Sequence, residues 1–158
     1  MIQWIEEWEK DGVTKIDGIG SQMHVTCSMD PAKQKENEEA YVNMLNLMVG
    51  SHKLVRISEL DMGLEDKNGN LVNTTDMTEE EHKAMRAYYE FIVKKYLEIV
   101  PENQQWGICQ WCATDSPANS GWRAGLPVGL WDLDYYRKHT YGGFAAGLGA
   151  PEYWNDAK

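Results

Sequence analysis

Ile2, Trp4, Ile5 and Trp8 fall close to helical spacing, so residues 2–10 predict a helix that Asp11 and Gly12 end. Residues 15–24 then read as a short buried strand. Its glycines, Gly18 and Gly20, permit close approach of other groups. Asp30 and Pro31 announce a helix over about 33–49. There Tyr41, Met44, Leu45 and Met48 recur at steps of three and four, and Gly50 closes it. The apolar run at 53–60 predicts a second strand, and residues 66–70 a turn cluster. Thr78 with Glu81 forms a capping-box pattern that opens a helix to about Val100, where Pro101 stops it. Residues 105–113 predict a third strand, 114–130 a loop rich in Gly, Pro, Ser and Asn, and about 134–148 a last helix. Alternating helices and strands mean an α/β fold of parallel βαβ units. Three strands are too few to close a barrel, which takes eight.

Composition narrows the function without naming it. A chain of 158 residues with 42% apolar and 25% charged residues suits one soluble domain. The net charge of -10 argues against nucleic acid or an anionic membrane as partner. Seven Trp and eight Tyr stand against two Phe. Flat rings with a polar edge suit carbohydrate, although core packing is the ordinary role of any one of them. The first ten residues are acidic and amphipathic, unlike a signal peptide, and no segment reaches membrane-spanning length. Asn73-Thr74-Thr75 fits the glycosylation triplet, a common chance match. Three cysteines make no secreted disulfide framework.

The chemistry collects at the strand ends. Gln22 and His24 lie on the first strand, Glu59 and Asp61 on the second, and Trp111 and Asp115 after the third. Strand residues two apart face the same way, so each of the first two pairs shares a face. A histidine beside Glu59 can hold it ionised, as a carboxylate nucleophile requires. The same groups could simply cap strand ends, and residue spacing leaves both readings open. His24 with Cys27, and Cys109 with Cys112, also have spacings seen in zinc sites. Residues three apart on a strand face opposite ways, so buried thiols are the competing reading, and a redox pair belongs at a helix start.

Three segments together are similar to glycoside hydrolase family 10, the endo-1,4-β-xylanases. Residues 16–24 resemble the family's sixth barrel strand. Residues 55–61 resemble the seventh, whose Glu is the nucleophile. Residues 107–111 with Asp115, Ser116, Trp122 and Arg123 resemble the eighth strand and its loop, and 129–138 the closing segment. The resemblance covers nearly the whole chain. It implies a partial (β/α)8 barrel, with residues 1–158 the C-terminal portion of a catalytic domain.

By that resemblance Glu59 would be the nucleophile in retaining hydrolysis of xylan. His24 would hydrogen-bond Glu59, and Asp61 would support His24. Gln22, Trp111, Trp122, Arg123 and Asp115 would serve substrate binding, with Trp111 as the floor. Leu126 stands where many relatives carry a polar residue. The family's acid/base Glu, in an Asn-Glu pair on the fourth strand, has no counterpart. Asn37-Glu38 sits on a polar helix face and reads as solvated. The chain alone is therefore expected to be inactive on xylan, with xylan or xylo-oligosaccharides as ligands of a completed site. Neither cofactor nor metal is expected. Open strand edges imply either the missing barrel half or self-association as partner. The family is usually secreted, while this chain shows no export signal. The alternatives are a non-catalytic carbohydrate-binding module, against which the βα alternation argues, and a zinc-stabilised interaction fragment.

Overall fold

A computed structural model describes residues 2–151. The helices are α1 (Ile2–Glu9), α2 (Pro31–Val49), α3 (Glu79–Ile99) and α4 (His139–Gly147). The strands are β1 (Gly18–Ser21), β2 (His24–Ser28), β3 (Leu54–Glu65) and β4 (Gln105–Gln110). β3 is central. β1 pairs with its first part, from Gly18↔Leu54 to Ser21↔Ile57. β2 pairs with its second part, from His24↔Asp61 to Ser28↔Glu65, and β4 lies on the other side. Every pairing is parallel, as alternating strands and helices require.

The single strand expected at 15–24 is thus two short strands in line. Between them Met23 has φ 66°, a left-handed conformation that few non-glycine residues adopt. The break continues in β3. Ser21 to His24 is three steps along β1 and β2, but their partners Ile57 and Asp61 are four apart. Across from β4, Ile57 to Leu60 spans three steps against two from Ile108 to Gln110. β3 therefore carries one extra residue around Ser58–Glu59 relative to both neighbours. Such a bulge re-aims a side chain, and the burial pattern agrees. Val55 and Ile57 are buried in alternation, then Ser58 and Glu59 are both half-buried before a continuous buried run from Leu60.

α2 and α3 cover one face of the sheet. Tyr41 and Leu45 of α2 meet Ile57, Leu60, Met62 and Leu64 of β3 and Met85, Tyr89 and Ile92 of α3 in one core. Two tyrosines tie the layers as well as filling them. Tyr41 donates its hydroxyl proton to the Ile92 carbonyl. Tyr96 donates to the Val55 carbonyl and accepts from the Gly107 N–H, bridging β3 and β4 where their register shifts. Asp30 caps α2 with Pro31 in its first turn, and the Thr78–Glu81 capping box opens α3 as its residues predict.

Other boundaries moved. β2 runs on to Ser28 and β3 to Glu65, because the two continue to pair beyond the break. β4 stops at Gln110, short of 113. The last helix begins at His139, because Asp132 ties 132–136 into a turn, accepting from the Asp134 and Tyr136 N–H groups. α4 then packs closely on α3. A Cβ on Gly143 would come 2.2 Å from the Arg86 carbonyl oxygen, and one on Gly147 2.5 Å from the Val93 side chain.

His82 of α3 and His139 of α4 stack at this contact, ring centroids 5.6 Å apart. Burial first, then Lys138 and His139, hold His82 below its ordinary value, with Asp115 and Glu81 opposing. Burial first, then Arg86 and Lys83, do the same to His139, with Glu79 opposing. Both rings therefore bind protons less readily in the fold than in the unfolded chain, whose histidines keep their usual value of about 6.5. The stability this confers is complete above that pH and is lost as pH falls through the lower folded values. Melting temperature is thus expected to decline as pH drops below about 6.5, with a shallower decline in His82→Gln. An identical slope in the variant would exclude His82 as a source.

Candidate active site

The bulge in β3 brings Glu59 level with the ends of β1 and β4. Its side chain is 24% exposed, whereas that of Asp61, two residues on, is fully buried. Gln22, just past β1, donates its amide to Glu59 Oε1 at 3.3 Å. His24, opening β2, lies between the two carboxylates. Its Nε2 is 3.2 Å from Glu59 Oε2 and its Nδ1 is 3.1 Å from Asp61 Oδ2. With Nδ1–H donated to Asp61, Nε2 faces Glu59, and only a protonated ring donates to both. Met23 between Gln22 and His24 is what turns the chain so that both reach Glu59.

Aromatic groups flank this relay. Trp111 follows β4 directly, fixed by its N–H to the Leu60 carbonyl at 2.9 Å. It is half-exposed and stands edge-on to His24 with centroids 6.2 Å apart. Trp122 lies 4.6 Å from the His24 ring and donates its indole N–H to Asp61 Oδ2 at 2.8 Å. Both indoles keep a large exposed face, 52% and 41%, beside a half-exposed carboxylate. A carboxylate held by the same histidine that these indoles pack against can attack an electrophilic carbon of a ring stacked on them.

Gln22, His24, Glu59, Asp61, Trp111 and Trp122 therefore come together. Arg123 adjoins them but turns inward, donating Nη1 to the Val25 carbonyl at 2.8 Å. Asp115 does not join them. It is 1% exposed and lies beneath the loop, where Lys138 pairs with its Oδ1, Thr74 donates to its Oδ2, and Gly129 N–H donates to Oδ1 at 3.0 Å. Lys138 also donates to the Pro127 carbonyl at 3.0 Å. Burial lowers the Lys138 ammonium's value while Asp115 opposes that shift. The pair fastens the 114–130 loop rather than reaching an open surface. Leu126 is buried too.

The zinc alternative does not assemble. Among the described residues no three His, Cys, Asp or Glu side chains converge as metal ligands. Cys27 is buried in the core, its thiol pushed up to about 12, by burial first and then by Glu38 and Glu65. Cys112 is closer to the chemistry than its spacing showed. Its Sγ lies 3.8 Å from Asp61 Oδ2, and burial, then the Asp61 charge, pushes the thiol up to about 11. Gly63 is another residue whose part the sequence did not show, since it lies beyond the strand expected at 53–60. A Cβ there would come 2.8 Å from Arg123 Nη1.

Residues 1–146 match the model of glycosyl hydrolase family 10. The chain belongs to this family. It is 30% identical over 171 residues to the endo-beta-1,4-xylanase Xyn10C of Cellvibrio japonicus, covering 94% of this chain and 25% of that protein. The solved native xylanase 10C from C. japonicus superposes with TM-score 0.70 at 25% identity, over 96% of this chain and 32% of that one. Xylanase 10B from Thermotoga maritima shares the fold, with TM-score 0.69 at 21% identity over 94% and 41% of the two chains. This family 10 chain therefore spans a quarter to about two fifths of the relatives it matches. Its parallel strands and helices correspond to part of their barrel.

Proposed function

We propose that this chain carries the nucleophile half of a retaining endo-1,4-β-xylanase site. The observation that carries this reading is the Gln22–Glu59–His24–Asp61 relay beside the exposed faces of Trp111 and Trp122. Its support from relatives is the similarity to Xyn10C, a mutant of which is solved in complex with xylopentaose. Glu59 attacks the anomeric carbon, the glycosidic bond to the leaving oxygen breaks, and a glycosyl-enzyme ester forms. Water then cleaves that ester. His24 and Gln22 orient the carboxylate, and Trp111 and Trp122 seat the sugar rings.

Retention also needs a second carboxyl group, about 5–5.5 Å from the first, as acid and then base. Asp61 is buried and committed to His24 and Trp122, and the hydrogen-bonding partners of Glu59 among the described residues are Gln22 and His24. We place the acid/base on polypeptide that adds strands to the open edges of β1 and β4. Beside β1 lies an apolar cavity of about 790 Å³, walled by Ile2, Ile19, Gln22, Met44 and Leu47, which such strands would fill.

The test compares two substrates. An aryl β-xylobioside, whose leaving group needs little protonation, is expected to release phenolate slowly with the 158-residue chain. Xylan is expected to stay intact, since lack of general acid help costs about 100-fold to 10,000-fold. Rapid xylan cleavage by the chain alone would show that it holds its own acid.

A further inference from the structure

We infer that Arg123 is a positioning residue: its guanidinium is the counter-charge set against the buried Asp61 carboxyl group, and it thereby holds His24 and Trp122 in place beside Glu59. That Asp61 serves Glu59 through His24 rests on the proposed function. The Arg123–Asp61 link stands on its own geometry.

The two oxygens of Asp61 have unequal surroundings. Oδ2 accepts from Trp122 Nε1 at 2.8 Å, faces His24 Nδ1 at 3.1 Å and lies 3.8 Å from Cys112 Sγ. Oδ1 is buried with no hydrogen-bond partner among the described residues. What faces it is Arg123, with Nε at 3.5 Å. A buried carboxylate oxygen is costly unless a donor or a cation stands by. The groups facing Asp61 are His24 from β2, Tyr89 from α3, and Cys112, Trp122 and Arg123 from the segment after β4. Among these only Arg123 is positive at every working pH.

The surroundings of Arg123 fit this role better than sugar contact. Its side chain is 19% exposed. The other end of the guanidinium donates to the Val25 carbonyl at 2.8 Å, which fixes the planar group from the β2 side. Gly63 leaves the space it occupies. The backbone of Arg123 takes φ 43°, an unfavourable conformation for a non-glycine residue, and Leu126 N–H closes the turn on its carbonyl at 2.9 Å. Strain of this kind persists where surrounding contacts over-determine it. Here those contacts are Val25 on one side and Asp61 on the other.

The indole N–H signal of Trp122 reports the bond to Asp61 directly. It is assigned by its loss in Trp122→Phe and read by NMR in the folded 158-residue chain at neutral pH. No turnover is needed, so the result is separate from whether Glu59 is a nucleophile. In Arg123→Gln the signal is expected to leave its native position, since the buried Asp61 has lost its counter-charge. Arg123→Lys keeps the charge and is expected to recover most of that difference. Wild-type behaviour in Arg123→Gln, or equal shifts in the Gln and Lys variants, would reduce Arg123 to a space-filling group. Should Arg123→Gln fail to fold, Gly63→Ala decides in its place. Its Cβ displaces the guanidinium without removing charge, so a displaced signal supports the inference and an unchanged one overturns it.

Discussion

Glu59→Ala is expected to lower turnover of an aryl β-xylobioside by about 10,000-fold or more, the scale on which enzymes lose activity when a nucleophile is deleted. Glu59 is the half-exposed carboxylate of the relay, presented by the extra residue in β3 and held by Gln22 and His24. Deletion leaves a space bounded by those two groups, and a small external nucleophile can occupy it. Azide is therefore expected to restore aryl release from Glu59→Ala and to give the α-glycosyl azide, because attack comes from the face Glu59 used. Restoration with a β product, or undiminished turnover without azide, would move the nucleophile elsewhere.

Gly129→Ala is expected to cost about 3 kcal/mol, the upper end of ordinary overpacking penalties. An added Cβ would lie 2.1 Å from the Thr114 carbonyl carbon and 2.5 Å from the Asp115 nitrogen, both backbone atoms that no rotamer change can clear. The same shift would draw the Gly129 N–H from Asp115 and loosen the buried Asp115–Lys138 pair. For a domain of this size the melting temperature should fall by about 6–12 °C. Gly121→Ala is the control, since a Cβ there meets nothing within 4 Å. Equal melting temperatures for the two variants would contradict the close packing of the loop on itself.

Much of this was legible in the residues. Helical spacing in α1 and α2, the Thr78–Glu81 box and the alternation of helices with strands all predicted elements that form, because each depends on neighbours within a few positions. Glu59, His24, Asp61 and Gln22 could be grouped by strand position and by resemblance, and the fold does bring them together. The extra residue in β3 could not be read, because register is a relation between strands and no single segment encodes it. The turn at Met23 was hidden for a related reason. An apolar methionine with φ 66° looks like ordinary strand sequence, and the pairing around it imposes the turn. Asp115 was misplaced because its partner Lys138 lies 23 residues further on. A loop carboxylate looks solvent-facing until its buried cation is known. The cysteine spacings suggested zinc because spacing ignores direction, and Cys27 points into the core.

Covalent trapping tests directly whether Glu59 is a preformed nucleophile. A 2-deoxy-2-fluoro-β-xylobioside with a dinitrophenolate leaving group needs no acid, and its glycosyl ester turns over slowly enough to accumulate. Incubated with the folded 158-residue chain and digested with trypsin, it is predicted to label one peptide, residues 57–67. Fragmentation should place the sugar on Glu59, and Glu59→Ala should remain unlabelled. A label on Asp61 or any other carboxylate, or none on a chain shown to be folded, would contradict the assignment of Glu59 as a preformed nucleophile.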